Sequence, residues 1–192
     1  FLIGGTSGRT TLNGEGLQHQ DGTSLVQAAG VPSCVSYDPS YAYEVAVIVQ
    51  DGLRRMLEEG DDVFYYLTVA NENYAHPTIP DDSKIIEGIL KGLYLLRPSS
   101  SQQGPRVQLM SSGPILRETI AAAELLESNH GVTADVWSAP SFNELGRDVQ
   151  TTVRWNRLHP SEPPKKSYVQ EVLEGHDGPV VAATDFVKAY PE

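Results

Sequence analysis

The sequence predicts an α/β fold made of two doubly wound α/β units. Short apolar runs alternate with amphipathic stretches of helical length along most of the chain, which is typical of strand–helix–strand units. The run VFYYLTVA at 63–70 is apolar and β-branched without alternation, and such strands are usually covered on both faces, as in a parallel sheet. No tight hairpin signal separates two predicted strands, so we expect helices to connect them.

Each element follows from a local pattern. The apolar run at 1–5 predicts a strand, and a short helix at 25–29 is ended by Gly30 and Pro32. Apolar residues recur at three- and four-residue steps over 41–59, which predicts the clearest helix. In full, the predicted strands are 1–5, 33–37, 63–70, 92–97, 107–111, 132–138 and 179–184, and the predicted helices are 25–29, 41–59, 83–91, 115–129, 142–156 and 168–174.

We interpret the polar residues near the helix at 41–59 as helix caps or solvent-exposed side chains, and assign them no role in a site. Asp38 and Ser40 are both possible N-caps, because either side chain can accept a hydrogen bond from the first helical N–H groups. Glu44 falls on the polar side of this helix or at its margin, so we expect a solvated carboxylate there. The same reasoning predicts that His130 and Gly131 end the helix at 115–129.

The composition excludes several classes of protein. The chain has 192 residues and a net charge of −11, which disfavours nucleic-acid binding because that function requires a basic patch. No apolar run approaches the ~18–20 residues that a membrane-spanning helix needs. The single cysteine, Cys34, excludes an internal disulfide and is expected to be a buried thiol in a reducing, intracellular compartment. The five histidines never occur at zinc-site spacing.

A change of composition divides the chain. Residues 98–106 read PSSSQQGPR, which is typical of a linker. We therefore predict one unit at 1–98, a linker at 99–105 and a second unit at 106–192. An apolar run stands at the first residue and another strand lies just before the last, so we also expect an internal piece of a longer polypeptide.

The loop at 14–22, GEGLQHQDG, is the strongest candidate site. The surrounding stretch 6–23 contains only two aliphatic residues and four glycines, so its backbone is expected to turn sharply or to approach a ligand closely. His19 is framed by Glu15 and Asp21, and an imidazole among carboxylates suits an acid/base or oxyanion site. A surface loop with an idle histidine explains the same pattern and stays open.

Two further segments follow predicted strands. The polar residues of NENYAHP come directly after the strand at 63–70, where ligands bind in open α/β sheets, although they also form turns. These second-site candidates are Asn71, Glu72, Asn73, Tyr74 and His76. The sequence SSGP at 111–114 is interpreted as a helix cap, with a weaker alternative as an anion site.

Several long motifs together resemble one enzyme family. TSGRTTLNGEGLQHQDG, SYDPSYAYEVAVI, VANENYAHP, RWNRLHPSE and VAATDF are similar to the homodimeric pyruvate dehydrogenase E1 components, which are thiamine-diphosphate enzymes of the transketolase superfamily. The resemblance covers essentially the whole chain. It implies that 1–98 is the last part of a pyrimidine-binding, transketolase-like middle domain. Residues 106–192 would be the first part of a transketolase C-terminal-like domain.

The resemblance also implies an activity. These enzymes carry out oxidative decarboxylation of pyruvate and transfer the acetyl unit to the lipoyl domain of E2, so it implies a cytoplasmic homodimer within the multienzyme complex that follows glycolysis. Thiamine diphosphate and Mg²⁺ would be bound mainly by parts of the protein outside this chain. The family's catalytic glutamate would also lie outside it. A non-catalytic α/β structural or interaction module, and another transketolase-superfamily enzyme, remain as alternatives.

The site residues that the resemblance implies are few. His19 matches the active-site histidine beside the substrate, and is expected to be both catalytic and substrate-binding. The loop residues that would support it are Asn13, Glu15, Gln18 and Asp21. Gln20 departs from the glutamate usual in the family, which makes the loop less negative. No cofactor or metal ligand of this chain is implied, and the chain alone is expected to be inactive.

Overall fold

A computed structural model describes residues 2–6, 10–12, 14, 16–101 and 103–192. Its strands are β1 (Leu2–Thr6), β2 (Cys34–Tyr37), β3 (Phe64–Val69), β4 (Tyr94–Arg97), β5 (Arg106–Ser111), β6 (Thr133–Ser138) and β7 (Val180–Ala183). Its helices are α1 (Ser24–Ala29), α2 (Ala42–Leu53), α3 (Ser83–Lys91), α4 (Ile115–His130), α5 (Phe142–Leu158) and α6 (Tyr168–Val172). The strand and helix order predicted from the sequence is confirmed, with bounds that differ by a few residues.

The first sheet consists of β1, β3 and β2, in that order, and all its pairs are parallel. Leu2 is paired with Tyr65 and Cys34 with Phe64, so the carboxyl ends of the three strands lie at one edge. The central strand β3 buries Tyr65 and Leu67 on one face, whereas Phe64 and Tyr66 on the other face are only partly buried. The prediction that this strand is covered on both faces therefore holds only in part. The thiol of Cys34 is buried, as predicted.

At the start of helix α2 the Tyr41 N–H donates to the Glu44 carboxylate at 3.0 Å, and the helix buries Ile48 completely. The segment Arg54–Glu59 continues it as a π-helix, and Gly60 ends it with a positive φ of 72°. The predicted helix at 41–59 therefore has the right extent, while its last turns are wider than an α-helix.

The second sheet has the strand order β4-β6-β5-β7. Strands β6, β5 and β7 are parallel, whereas β4 runs antiparallel to β6 at the edge of the sheet. The α/β class is confirmed, but β4 precedes the linker-like segment and still pairs with the second sheet. Main-chain pairing therefore extends the second unit back past residue 98.

The two sheets share one apolar core. Buried residues of the first unit, among them Tyr37 and Ile48, belong to the same cluster as Leu109, Leu116 and Val136 of the second. Such continuous burial means that the units stabilise each other instead of folding as separate bodies. Within the described part of the chain, no helix combines the length and the apolar character needed to cross a membrane.

Candidate active site

Loops at the carboxyl ends of strands from both sheets meet in the structure. After β2, the backbone N–H of Asp38 donates to the carbonyl of Pro140, which follows β6, at 2.7 Å. The backbone N–H of Gly113, which follows β5, donates to the carbonyl of Asp38 at 3.0 Å. This common edge is where α/β sheets bind ligands, and here it is built by two sheets together.

Asp38 lies inside this edge and does not cap α2 as predicted. Its carboxylate is 1% exposed and accepts hydrogen bonds from the hydroxyls of Thr68, at 2.6 Å, and Ser112, at 2.7 Å. Burial raises the pKa of Asp38 to about 6, against the effect of the two hydroxyl donors and with help from the carboxylates of Asp185 and Glu44. The side chain therefore connects the two units.

Glu44 is fully buried, so the prediction of a solvated carboxylate is wrong. Oε2 accepts from the backbone N–H groups of Ser40 and Tyr41, at 2.5 and 3.0 Å, and Oε1 accepts from the hydroxyls of Tyr94 and Ser138, both at 2.6 Å. Burial raises the pKa of Glu44 above its ordinary value, and these donors oppose the shift. The second unit covers this side of α2, which local periodicity cannot reveal.

His19 lies in a short 3₁₀ turn, Leu17–His19, beyond the carboxyl end of β1. The turn follows Gly16, whose φ is 75°, and the N–H of His19 donates to the carbonyl of Gly16 at 3.2 Å. The imidazole is exposed. A donor and acceptor group is thus presented to solvent on a turned backbone, as an acid/base role requires.

The predicted supporting residues take different places. Gln18 is exposed beside His19, whereas Asn13 and Glu15 lie outside the described residues. The Asp21 carboxylate accepts from the N–H groups of Thr23 and Ser24, each at 3.0 Å, and from the Ser24 hydroxyl. Asp21 therefore fixes the start of α1, close behind the histidine.

The His19 loop, residues 10–22, is held by other strand-end segments. The Asp185 carboxylate, after β7, accepts from both the N–H and the hydroxyl of Thr10, at 2.7 and 2.6 Å. The hydroxyl of Thr11 accepts from the N–H of Asn71, after β3, at 3.2 Å. Sequence reasoning missed Asp185, although its place directly after a parallel strand was a usable signal.

The second-site candidates after β3 contact the start of α2. The hydroxyl of Tyr74 donates to the carbonyl of Ser40 at 2.7 Å, and Nδ1 of His76 accepts from the N–H of Ala42 at 3.2 Å. Glu72 lies 3.7 Å from the guanidinium of Arg117. These residues line a cavity of about 260 Å³, but their polar groups already bind neighbouring segments, which favours the turn interpretation.

The start of α4 does not fit a diphosphate site. No group of three or more His, Cys, Asp or Glu side chains among them is placed to hold a metal ion. At the start of α4, Ser112 donates its hydroxyl to Asp38, and this buried carboxyl group disfavours a bound anion. Pro114 is the N-cap residue of α4 but makes no side-chain hydrogen bond to it. The segment 111–114 therefore leads into the helix, as the cap interpretation predicted.

Comparisons with known proteins divide the chain in two. The family model "Pyruvate dehydrogenase E1 component middle domain" matches residues 1–77, and "Transketolase-like TK C-terminal domain" matches residues 92–192. The pyruvate dehydrogenase E1 component of Pseudomonas aeruginosa is 57% identical over the whole chain, and that of Escherichia coli K12 is 53% identical. The chain spans 22% and 21% of the length of these two relatives.

Solved structures agree in fold. Transketolase from Leishmania mexicana has a TM-score of 0.63 at 16% identity, with 97% of this chain and 23% of that chain covered. Transketolase from Campylobacter jejuni has a TM-score of 0.63 at 18% identity, with 96% and 24% covered. At these identities the likeness concerns the fold alone. The two successive family matches and the identity along the whole chain lead to one assignment: the chain belongs to the family of pyruvate dehydrogenase E1 components, with their transketolase-like domains.

Proposed function

We propose that the chain acts within the E1 component of a pyruvate dehydrogenase complex, in the thiamine-diphosphate-dependent oxidative decarboxylation of pyruvate with acetyl transfer to the lipoyl domain of E2. The identity of 57% to a named E1 component over all of the chain supports the assignment. One structural observation carries it to a residue: the imidazole of His19 is exposed on a loop held at the carboxyl ends of the strands.

The cofactor and Mg²⁺ are held mainly by parts of the protein outside this chain. Thiamine diphosphate supplies the carbanion chemistry when it is bound. We further infer a cytoplasmic homodimer whose pyrimidine-binding and C-terminal-like domains meet in this chain. The pairing of β4 with β6 favours a boundary just before β4, instead of in the linker at 99–105.

We assign to His19 the roles of substrate binding and proton transfer. A histidine side chain can donate a hydrogen bond to the carboxylate of pyruvate or to a developing alkoxide, and it can transfer a proton. Gln18 is exposed next to it and belongs to the loop that supports the histidine. Asp21 acts one step away, since it fixes the start of α1. Asn13 and Glu15 complete the proposed loop.

Replacement of His19 tests this assignment. In the full-length E1 polypeptide that carries this chain, His19→Ala should lower kcat by about 10²–10³-fold, the usual contribution of a proton donor or oxyanion ligand. His130→Ala is a matched control, because His130 is an exposed histidine at the end of α4, and it should leave kcat within about twofold. A loss below about threefold for His19→Ala, in a folded enzyme, would reject the role.

A further inference from the structure

Asp185 holds the beginning of the His19 loop from the other unit of the protein. The residue follows β7 and is 7% exposed. Each of its carboxylate oxygens accepts a hydrogen bond from Thr10, one from the backbone N–H at 2.7 Å and one from the hydroxyl at 2.6 Å. Such a two-point contact fixes both the position and the orientation of Thr10.

The same segment also holds the end of the loop. The backbone N–H of Val187 donates to the carbonyl of Gly22 at 2.9 Å. Between these two contacts, Phe186 is 4% exposed and packs in an apolar cluster with Leu25 of α1. Residues 185–187 are therefore held in place by burial, and they contact both ends of the stretch that carries His19, at Thr10 and at Gly22.

These two contacts limit how far the loop that carries His19 can move. His19 is only three residues from Gly22 and nine from Thr10, and closing both ends of a loop on one rigid segment removes much of its conformational freedom. A displacement of about 1 Å in a catalytic group can cost ~10²-fold in rate. Both ends of the stretch that carries the imidazole are thus held by contacts made far along the chain.

We propose that Asp185 is a positioning residue for His19: its carboxylate fixes Thr10, and through Thr10 the loop that presents the imidazole to substrate. The inference rests on the proposed function of His19. Asp185 itself touches neither substrate nor cofactor in this scheme. Asparagine is the conservative replacement, because its amide oxygen can accept from the Thr10 N–H while its NH₂ group donates to the Thr10 hydroxyl.

A double-mutant cycle in the full-length E1 polypeptide separates positioning from general stability. Asp185→Ala should lower kcat by about 10- to 100-fold, and Asp185→Asn should restore it to within about threefold of the original. In the His19→Ala background, Asp185→Ala should have less than about a twofold effect, since the positioned group is gone. Asp177→Ala makes the same charge change at the exposed other end of β7 and should leave kcat unchanged.

The outcomes are distinct. Equal losses from Asp185→Ala with and without the imidazole would overturn the positioning role while leaving that of His19 intact. A negligible effect of His19→Ala alone would instead remove the proposed role of His19, and the positioning role with it. Hydrogen exchange gives a second readout: Asp185→Ala should speed exchange of the Asn71 and Val187 amides, which donate to Thr11 and Gly22 of the loop, at least about tenfold more than that of the β6 amides. Uniform acceleration, or none, would contradict the proposal.

Discussion

Asp38 gives the sharpest test of the buried contact between the two units. The perturbation is Asp38→Asn, which removes the charge and keeps the shape. The hydroxyls of Thr68 and Ser112 can rotate, so one can donate to the amide oxygen while the other accepts from the NH₂ group. Ser112 has an alternative hydroxyl partner in Thr184, at 3.2 Å, which makes this exchange feasible.

The magnitude follows from the pKa shift. Burial raises the pKa of Asp38 from 3.8 to about 6, and a shift of roughly two units corresponds to about 3 kcal/mol. Below about pH 3 the carboxyl group is protonated in both folded and unfolded chains. Between pH 4 and 6 only the folded chain keeps the proton, so its free energy of unfolding falls as the pH rises. Above pH 6 the contribution of this group stays constant.

The assay is urea unfolding at intervals from pH 4 to pH 7.5, followed by the fluorescence of the buried Trp137. Asp38→Asn should become more stable relative to the original protein by about 2 kcal/mol between pH 4 and pH 7, the part of the full ~3 kcal/mol that falls in this interval. Asp177→Asn, an exposed control, should show no such trend. A relative change below about 1 kcal/mol for Asp38→Asn would refute the claim that burial dominates the titration of this carboxyl group.

Two further substitutions probe the same region. Glu44→Ala should lower the free energy of unfolding by about 3 kcal/mol or more, because buried N–H donors lose their acceptor and a cavity forms. Glu44→Gln should lower it by less than ~1.5 kcal/mol. Urea unfolding measures both variants, and equal losses would contradict this explanation. Gly113 has a φ of 53°, and an added Cβ would lie 2.7 Å from Oδ2 of Asp38. Gly113→Ala should therefore cost ~1–3 kcal/mol more than Gly131→Ala, which has a φ of 63° and open space around it; thermal unfolding of both variants measures the difference, and equal costs would exclude the clash.

Local patterns predicted the elements well because each element has a strong pattern of its own. The apolar spacing of 41–59 gives α2, and the run at 63–70 gives β3. The errors concern partners that are distant in sequence. Glu44 is buried by Tyr94 and Ser138, and the direction of β4 depends on its pairing with β6, so neither follows from a short window.

The candidate site shows the same division. The glycines around His19 predicted a sharply turning backbone, and the structure has a 3₁₀ turn at Leu17–His19 after Gly16, whose φ is 75°. Asp21 was expected beside the imidazole, but its carboxylate is used by the start of α1. Asp185 escaped notice because nothing near it in the sequence points to Thr10, which is 175 residues away. The catalytic and supporting roles of the loop stay predictions.

The placement of β6 between β4 and β5 limits when this sheet can form during synthesis of the chain. As the polypeptide leaves the ribosome, β4 and β5 emerge before the strand that joins them, and α4 must also be synthesised before residues 133–138 appear. Until then the nascent chain carries two strands whose main-chain groups await their neighbour, and such edges are prone to pair with other chains. The segment between β4 and β5, PSSSQQGP, contains no aliphatic or aromatic side chain, so it adds no aggregation-prone stretch to this interval.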